Sequence, residues 1–185
     1  VYAAHSEENL DNTVMGRVVC YDATGSGDVT ATHERWRADG LQAGYTSPVI
    51  HANRLYVVDN SANLHALEAA TGARLWQTNI GTVGKGSPVW ADGKIFATEV
   101  NGRVSVVSAG AGEGELIQTS TFQTGGRPAE IFGSVAVAYE RIYLATEDGL
   151  YCVGDAEQEF SLGQKIVPLF EAAPEPKRFL VVPGA

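Results

Sequence analysis

The chain has 185 residues, of which 44% are hydrophobic and 19% charged, and its formal net charge is −9. That length and balance suit one globular domain with a real core and exclude a disordered chain. The acidic surplus argues against a nucleic-acid partner, whose phosphates need a basic surface, and against docking on anionic lipid; no apolar run approaches the ~18 residues that would cross a bilayer.

At the start of the chain Val1-Tyr2 already reads as strand, the one methionine is Met15, and neither an initiator Met nor a signal peptide is visible. The expectation is a piece of a longer or processed chain. His5-Ser6-Glu7-Glu8-Asn9-Leu10-Asp11-Asn12-Thr13 follows as an acidic loop. Clustered carboxylates and amides suit a hard cation, so Glu7, Glu8 and Asp11 are the candidate metal ligands or partner contacts; a solvated acidic excursion is the simpler reading. Two cysteines, Cys20 and Cys152, make no disulfide framework and read as small core residues.

From here the chain repeats itself. Ser47-Pro48-Val49 returns 40 residues later as Ser87-Pro88-Val89, and Arg54-Leu55-Tyr56 returns as Lys94-Ile95-Phe96. At the same offset Ala69 and Gly72 meet Ala109 and Gly112. A shift of 47 brings Ser87 to Ser134 and Lys94-Ile95-Phe96 to Arg141-Ile142-Tyr143. Backwards, Glu34-Arg35-Trp36 precedes Arg74-Leu75-Trp76 by 40, and Ala23-Thr24-Gly25 precedes Ala70-Thr71-Gly72 by 47. In that frame Val1-Tyr2 stands for Leu55-Tyr56, and the loop after Tyr2 is about 8 residues longer than its counterpart after Tyr56.

Each unit reads as four short strands, near 47–51, 54–59, 63–68 and 73–79 in the clearest one. Ala52-Asn53, Ala62-Asn63, Asp92-Gly93, Asn101-Gly102 and Asp148-Gly149 supply the hairpin turns. Four-stranded units recurring every ~40–45 residues predict a β-propeller. About four blades are expected, at 1–40, 41–80, 81–127 and 128–155, the first without its inner strand. The tail, 156–185, is richer in proline and carries the strand-like Arg178-Phe179-Leu180-Val181-Val182, a candidate closing strand.

No catalytic motif emerges. Gly81-Thr82-Val83-Gly84-Lys85-Gly86-Ser87 imitates a phosphate loop, but its Gly-Lys-Ser order is broken and a strand follows it. The histidines at 5, 33, 51 and 65 lack metal-ligand spacing, and no Gly-x-Ser-x-Gly elbow is present.

Ala66-Leu67-Glu68-Ala69-Ala70-Thr71-Gly72-Ala73-Arg74-Leu75-Trp76 resembles the repeat of the PQQ-like β-propellers, Ala-Leu-Asp-Ala-x-Thr-Gly-Lys-x-x-Trp. That family includes the quinoprotein alcohol dehydrogenases and the non-catalytic propeller of the outer-membrane assembly lipoprotein. The resemblance covers residues 1 to about 155 and is fullest in 41–80. In 81–127 the turn reads Gly-Ala-Gly-Glu-Gly and Leu116 stands in place of the Trp, and in 128–155 the last strand is not recognisable.

The resemblance implies that Trp36 and Trp76 are docking residues, each packing on a neighbouring blade and bonding backbone near its turn, with Thr71 and Gly72 shaping that turn. Trp90, in a first strand, faces the central channel or the sheet. The resemblance also implies a periplasmic or extracellular bacterial protein, the C-terminal half of a larger one. No cofactor is expected, because the dehydrogenases' adjacent Cys-Cys, stacking Trp, metal ligands and catalytic Asp find no counterparts here; PQQ enters only if the missing part supplies its ligands. The expected partner is a protein or small ligand on the rim loops, with self-association or completion by a missing propeller half. The alternative is a portion of a PQQ-dependent dehydrogenase whose cofactor ligands lie outside this segment.

Overall fold

A computed structural model describes residues 1–110, 112 and 114–155, together with the backbone of Leu180–Val181. All regular structure among them is β, and no helix is long and apolar enough to cross a membrane. The first sheet holds β1 (Tyr2–Glu8), β2 (Met15–Tyr21) and β3 (Glu34–Asp39) in that order. The second holds β4 (Val49–His51), β5 (Arg54–Val58), β6 (Asn63–Glu68) and β7 (Arg74–Asn79). The third holds β8 (Val89–Ala91), β9 (Lys94–Glu99), β10 (Arg103–Ser108) and β11 (Leu116–Thr121). A short hairpin, β12 (Gln123–Thr124) with β13 (Arg127–Pro128), leads to the last sheet, β14 (Ala136–Ala138), β15 (Arg141–Thr146) and β16 (Gly149–Val153), joined by β17 (Leu180–Val181). Neighbouring strands are antiparallel except β17, which runs parallel to β16. Leu180 and Val181 lie within the stretch 178–182 expected as a closing strand; the rest of the tail lies outside the described residues.

These sheets are blades of a partial β-propeller, and their registers coincide. Tyr2 faces Cys20, Tyr56 faces Ala66, Phe96 faces Val106 and Tyr143 faces Cys152. The pairing identifies β1 with the second strand of the other sheets, so the first sheet lacks an inner strand. The inner hairpins turn through residues with positive φ at both central positions, Ala52-Asn53, Asp92-Gly93 and Tyr139-Glu140. That is the type I′ geometry whose twist matches the flanking strands.

Alternation explains why β5 is buried on both faces from Leu55 to Val58. Leu55 and Val57 pack with Leu67 against Val18, Cys20, Trp36, Leu41 and Ala43, the seam with the first sheet. Tyr56 and Val58 point the other way, joining Leu64, Ala66 and Trp76 against Ile95, Ala97, Val107 and Ala109 of the third sheet. Both faces of a central blade are apolar because each meets another sheet. The third seam is smaller: Phe96 and Val104 meet Ile131, Val135 and Leu144.

The outer strand corrects one reading. Trp36 faces Cys20 and Trp76 faces Ala66, each followed by a bulge; the residue facing Val106 before the same bulge is Gln118, not Leu116. The backbone bond closing the turn runs from Glu68 N to Ala73 O in the second sheet and from Ser108 N to Glu115 O in the third. The third turn is therefore two residues longer. A fixed offset of 40 lands two residues early, on Leu116 instead of Gln118 and on Gly112 instead of Gly114.

Trp36 and Trp76 are both 8% exposed, and each lies on a glycine of the next blade's turn. A Cβ on Gly72, where φ is +75°, would come 2.4 Å from Trp36, and one on Gly114 would come 2.4 Å from Trp76. Burying such a side chain is worth roughly 4–6 kcal/mol gross from ~200 Å² of area. The indole Nε1 of Trp36 also donates to Ala69 O at 2.9 Å, a carbonyl that Tyr2 Oη shares at 3.1 Å. Trp76 Nε1, by contrast, is buried with no partner among the described residues, so the backbone bond expected of both tryptophans is made at Trp36 and not at Trp76. Within the turn, Thr71 Oγ1 donates to Glu68 Oε2 at 2.5 Å and accepts from Ala73 N at 3.2 Å.

Candidate functional site

The loops joining one blade to the next are built alike. The amide that follows each second strand donates to the loop: Asn60 to Gln42 O at 2.8 Å, Val100 to Val83 O at 3.1 Å, and Glu147 to Glu130 O at 3.0 Å. A second tie runs through the repeated serines. Ser47 N donates to Ser87 Oγ at 2.8 Å, and Ser87 N donates to Ser134 Oγ at 2.8 Å. These bonds fix the residues just upstream of the inner strands, which gather around β8 between β4 and β14.

The stretch that imitates a phosphate loop curls around an anion of the chain's own. Glu99 is only 2% exposed, and its Oε1 accepts from Thr82 N at 3.3 Å, Val83 N at 3.2 Å, Thr82 Oγ1 at 2.8 Å and Asn101 Nδ2 at 2.9 Å. Successive amides aimed at one negative oxygen are the physics of an anion nest. Here a carboxylate occupies it, and the loop is thereby a structural latch.

Two residues before each repeated serine stand Tyr45, Lys85 and Phe132, and the blades bring them together. Lys85 Nζ lies 5.2 Å from the centre of the Tyr45 ring and 5.0 Å from that of Phe132. Both distances are within cation–π range. Tyr45 is 64% exposed and Phe132 53%. No carboxylate pairs with Lys85 among the described residues. The signal for this row was in the sequence, since the offsets of 40 and 47 that align the serines align these three as well.

The acidic loop after Tyr2 is clamped. Asp11 pairs with Arg17 at 2.6 Å and with Arg37, while Asp39 takes a second bond from Arg17 at 2.5 Å. The hydrogen bond from Arg17 holds the Asp11 carboxyl below the usual range, and Arg17 does the same for Asp39. Asn9, 7% exposed, donates to Asn12 Oδ1 and to Val14 O. Glu8 and Asp11 line an open cleft of about 430 Å³ with His5, Arg17 and Arg37, and Glu7 accepts from Ser6 Oγ. The three candidate metal ligands are thus not brought around one point, and among the described residues no three His, Cys, Asp or Glu side chains are arranged to hold a metal ion.

The remaining candidates take structural places. His65 is buried and its Nε2 meets Asp59 Oδ2 at 2.9 Å. Burial raises the Asp59 pKa, but hydrogen bonds from His65 and Asn63 outweigh it and leave that pKa lowered. His51 stacks on Trp90 with ring centres 3.5 Å apart, which places Trp90 between two inner strands. His33 Nδ1 bonds Thr32 Oγ1 at 2.7 Å. Cys20 and Cys152 are free thiols in separate sheets.

Residues 14–150 match the family described as outer membrane protein assembly factor BamB. The chain belongs to this family of PQQ-like repeats. Among solved structures it is similar to BamB from Moraxella catarrhalis, with 19% identity and a TM-score of 0.59 over 77% of this chain and 49% of that one. It is also similar to a europium-containing methanol dehydrogenase, with 14% identity and a TM-score of 0.55 over 78% of this chain and 33% of that one. The chain thus spans about half of that BamB and a third of that dehydrogenase. These likenesses show the shared propeller fold. No curated protein matches the chain in sequence.

Proposed function

We propose that this chain is part of a non-catalytic PQQ-like propeller, a rigid scaffold whose inter-blade rim holds a protein partner, in an exported bacterial protein of the periplasm or cell exterior. The observation that carries the reading is the Tyr45–Lys85–Phe132 row: two largely exposed rings and a cation with no carboxylate partner among the described residues, fixed by the repeat on one rim. Other candidate polar groups are already engaged within the chain, Glu99 by its own loop and Asp11 by arginines. A site for PQQ finds no support among the described residues, since Cys20 and Cys152 stand in different sheets, Cys20 buried in the core and Cys152, expected there too, only half-buried.

The test pairs a binding arm with a chemical one. A photo-crosslinking side chain at Tyr45 of the full-length protein, expressed in the source cells, is expected to give a discrete protein adduct that one at the exposed Arg74 of β7, at the opposite end of its blade, does not. Tight binding of PQQ with Ca²⁺ and alcohol-dependent dye reduction by the full-length protein would overturn the scaffold reading.

A further inference from the structure

Resting on the rim as the interaction face, we propose that the Tyr45–Lys85–Phe132 row receives one carboxylate from an acidic, apolar-flanked segment of the partner protein. Lys85 is the centre of the argument. Its ammonium lies about 5 Å from two ring centres and has no carboxylate partner among the described residues. Two rings displace part of its hydration, so pairing with a carboxylate costs less desolvation than at an open lysine, and a charge-assisted bond gains more.

The rings decide between an anion alone and an anion on a chain. Tyr45 at 64% and Phe132 at 53% exposure leave apolar area around the cation that a free anion would leave wet. A peptide carrying aliphatic side chains beside its Asp or Glu covers both, in the arrangement of a charged anchor within an apolar collar. A basic segment meets Lys85 with the wrong sign. With a net charge of −9, the whole chain gives an acidic partner no long-range steering, so its recognition is made at this one cation. The row exists because three consecutive blades place position −2 from the repeated serine on one rim, and the Ser47–Ser87–Ser134 bonds keep it in place. Little ordering is left to be done on binding.

The test uses the whole chain and three labelled 12-residue peptides, identical except for Leu-Glu-Leu, Leu-Gln-Leu or Leu-Lys-Leu at the centre, read by fluorescence anisotropy, with free succinate as competitor. The Glu peptide is expected to bind at least about tenfold tighter than the other two. Lys85→Gln should abolish that preference and Lys85→Arg should keep it, while a Tyr45→Ser/Phe132→Ser variant should weaken all three. Equal binding of the Glu and Gln peptides, a preference that survives Lys85→Gln, or succinate competing as strongly as unlabelled Glu peptide would overturn the carboxylate assignment. If the peptides bind without charge preference but lose affinity in the ring variant, the rim reading stands and this inference falls; if none binds, both fall. Unchanged tryptophan emission confirms that each variant is folded.

Discussion

The first two seams are fastened by a tryptophan and the third is not. Trp36 crosses from the first blade and Trp76 from the second, each seated over a glycine where a methyl group would collide. At the third seam the corresponding residue is Gln118, on an outer strand that is exposed throughout. Its apolar contact comes instead from nearer the axis and from Phe122, edge-on to Tyr151 at 5.0 Å. Polar ties differ as well. The second blade relies on half-buried Asp59 with His65, whereas the last relies on an exposed pair, Arg127 with Glu147 at 2.6 Å. One repeat thus yields two kinds of joint, set by whether the outer strand carries an aromatic and the next turn a glycine.

Removing the fastener is the largest way to break the contrast. Trp36→Ala should cost about 3–5 kcal/mol in urea unfolding, the usual range for emptying a buried aromatic site, whereas Gln118→Ala should stay within about 0.5 kcal/mol. Equal losses would remove the distinction between the seams. Gly72→Ala comes next, since it asks an L side chain to hold φ +75° while its Cβ meets Trp36 at 2.4 Å. A loss of about 2–3 kcal/mol is expected by the same measurement.

The repeat and the strands of the second blade were legible because hydrophobic alternation and turn residues are local signals, whereas the docking role of Trp36 and Trp76 was an implication of the family resemblance. Gln118 was not, because a turn two residues longer moves everything after it while leaving the composition looking alike. The real partner of Val106 is fixed by hydrogen-bond register, which only folding reveals. The phosphate-loop resemblance had the reverse fate: the nest is real, and its anion is Glu99, distant in sequence. The same was true of Asp11, whose arginines come from β2 and β3. Lys85 between two rings was readable in principle from the repeat offsets, but a lone lysine among turn residues carries no sign of its neighbours.

A finer test separates the two fastened seams. Trp36 Nε1 has an acceptor in Ala69 O, whereas Trp76 Nε1 is buried with no partner among the described residues. At the second seam Ala109 O is taken by Tyr56 Oη at 3.2 Å and Arg54 at 3.1 Å. Trp36→Phe loses a hydrogen bond along with part of a ring, while Trp76→Phe loses the ring portion and an orphaned donor. Trp36→Phe should therefore be the more destabilising by about 1 kcal/mol. A smaller or reversed difference would show that the Ala69 bond adds nothing beyond packing.

The smallest expected effect concerns pH at the third seam. The hydrogen bond from Arg127 lowers the Glu147 pKa, and Glu147 also accepts from Glu130 N at 3.2 Å. A carboxylate whose pKa is lower folded than unfolded contributes stability fully above the unfolded value, ~4.3 for Glu, and loses it as pH falls through the folded one. Because the pair is exposed, salt screens it too. Amide exchange, corrected for its intrinsic pH dependence, should therefore quicken at Glu147 below about pH 4 and, more weakly, in 1 M salt at pH 7. The equivalent amide of the second blade, Asn60, should keep its protection in salt, because the neighbouring tie runs through half-buried Asp59 and the seam beneath it is closed by Trp36. Equal salt responses at Asn60 and Glu147 would mean that the two joints draw on the same forces, and the contrast between them would fail.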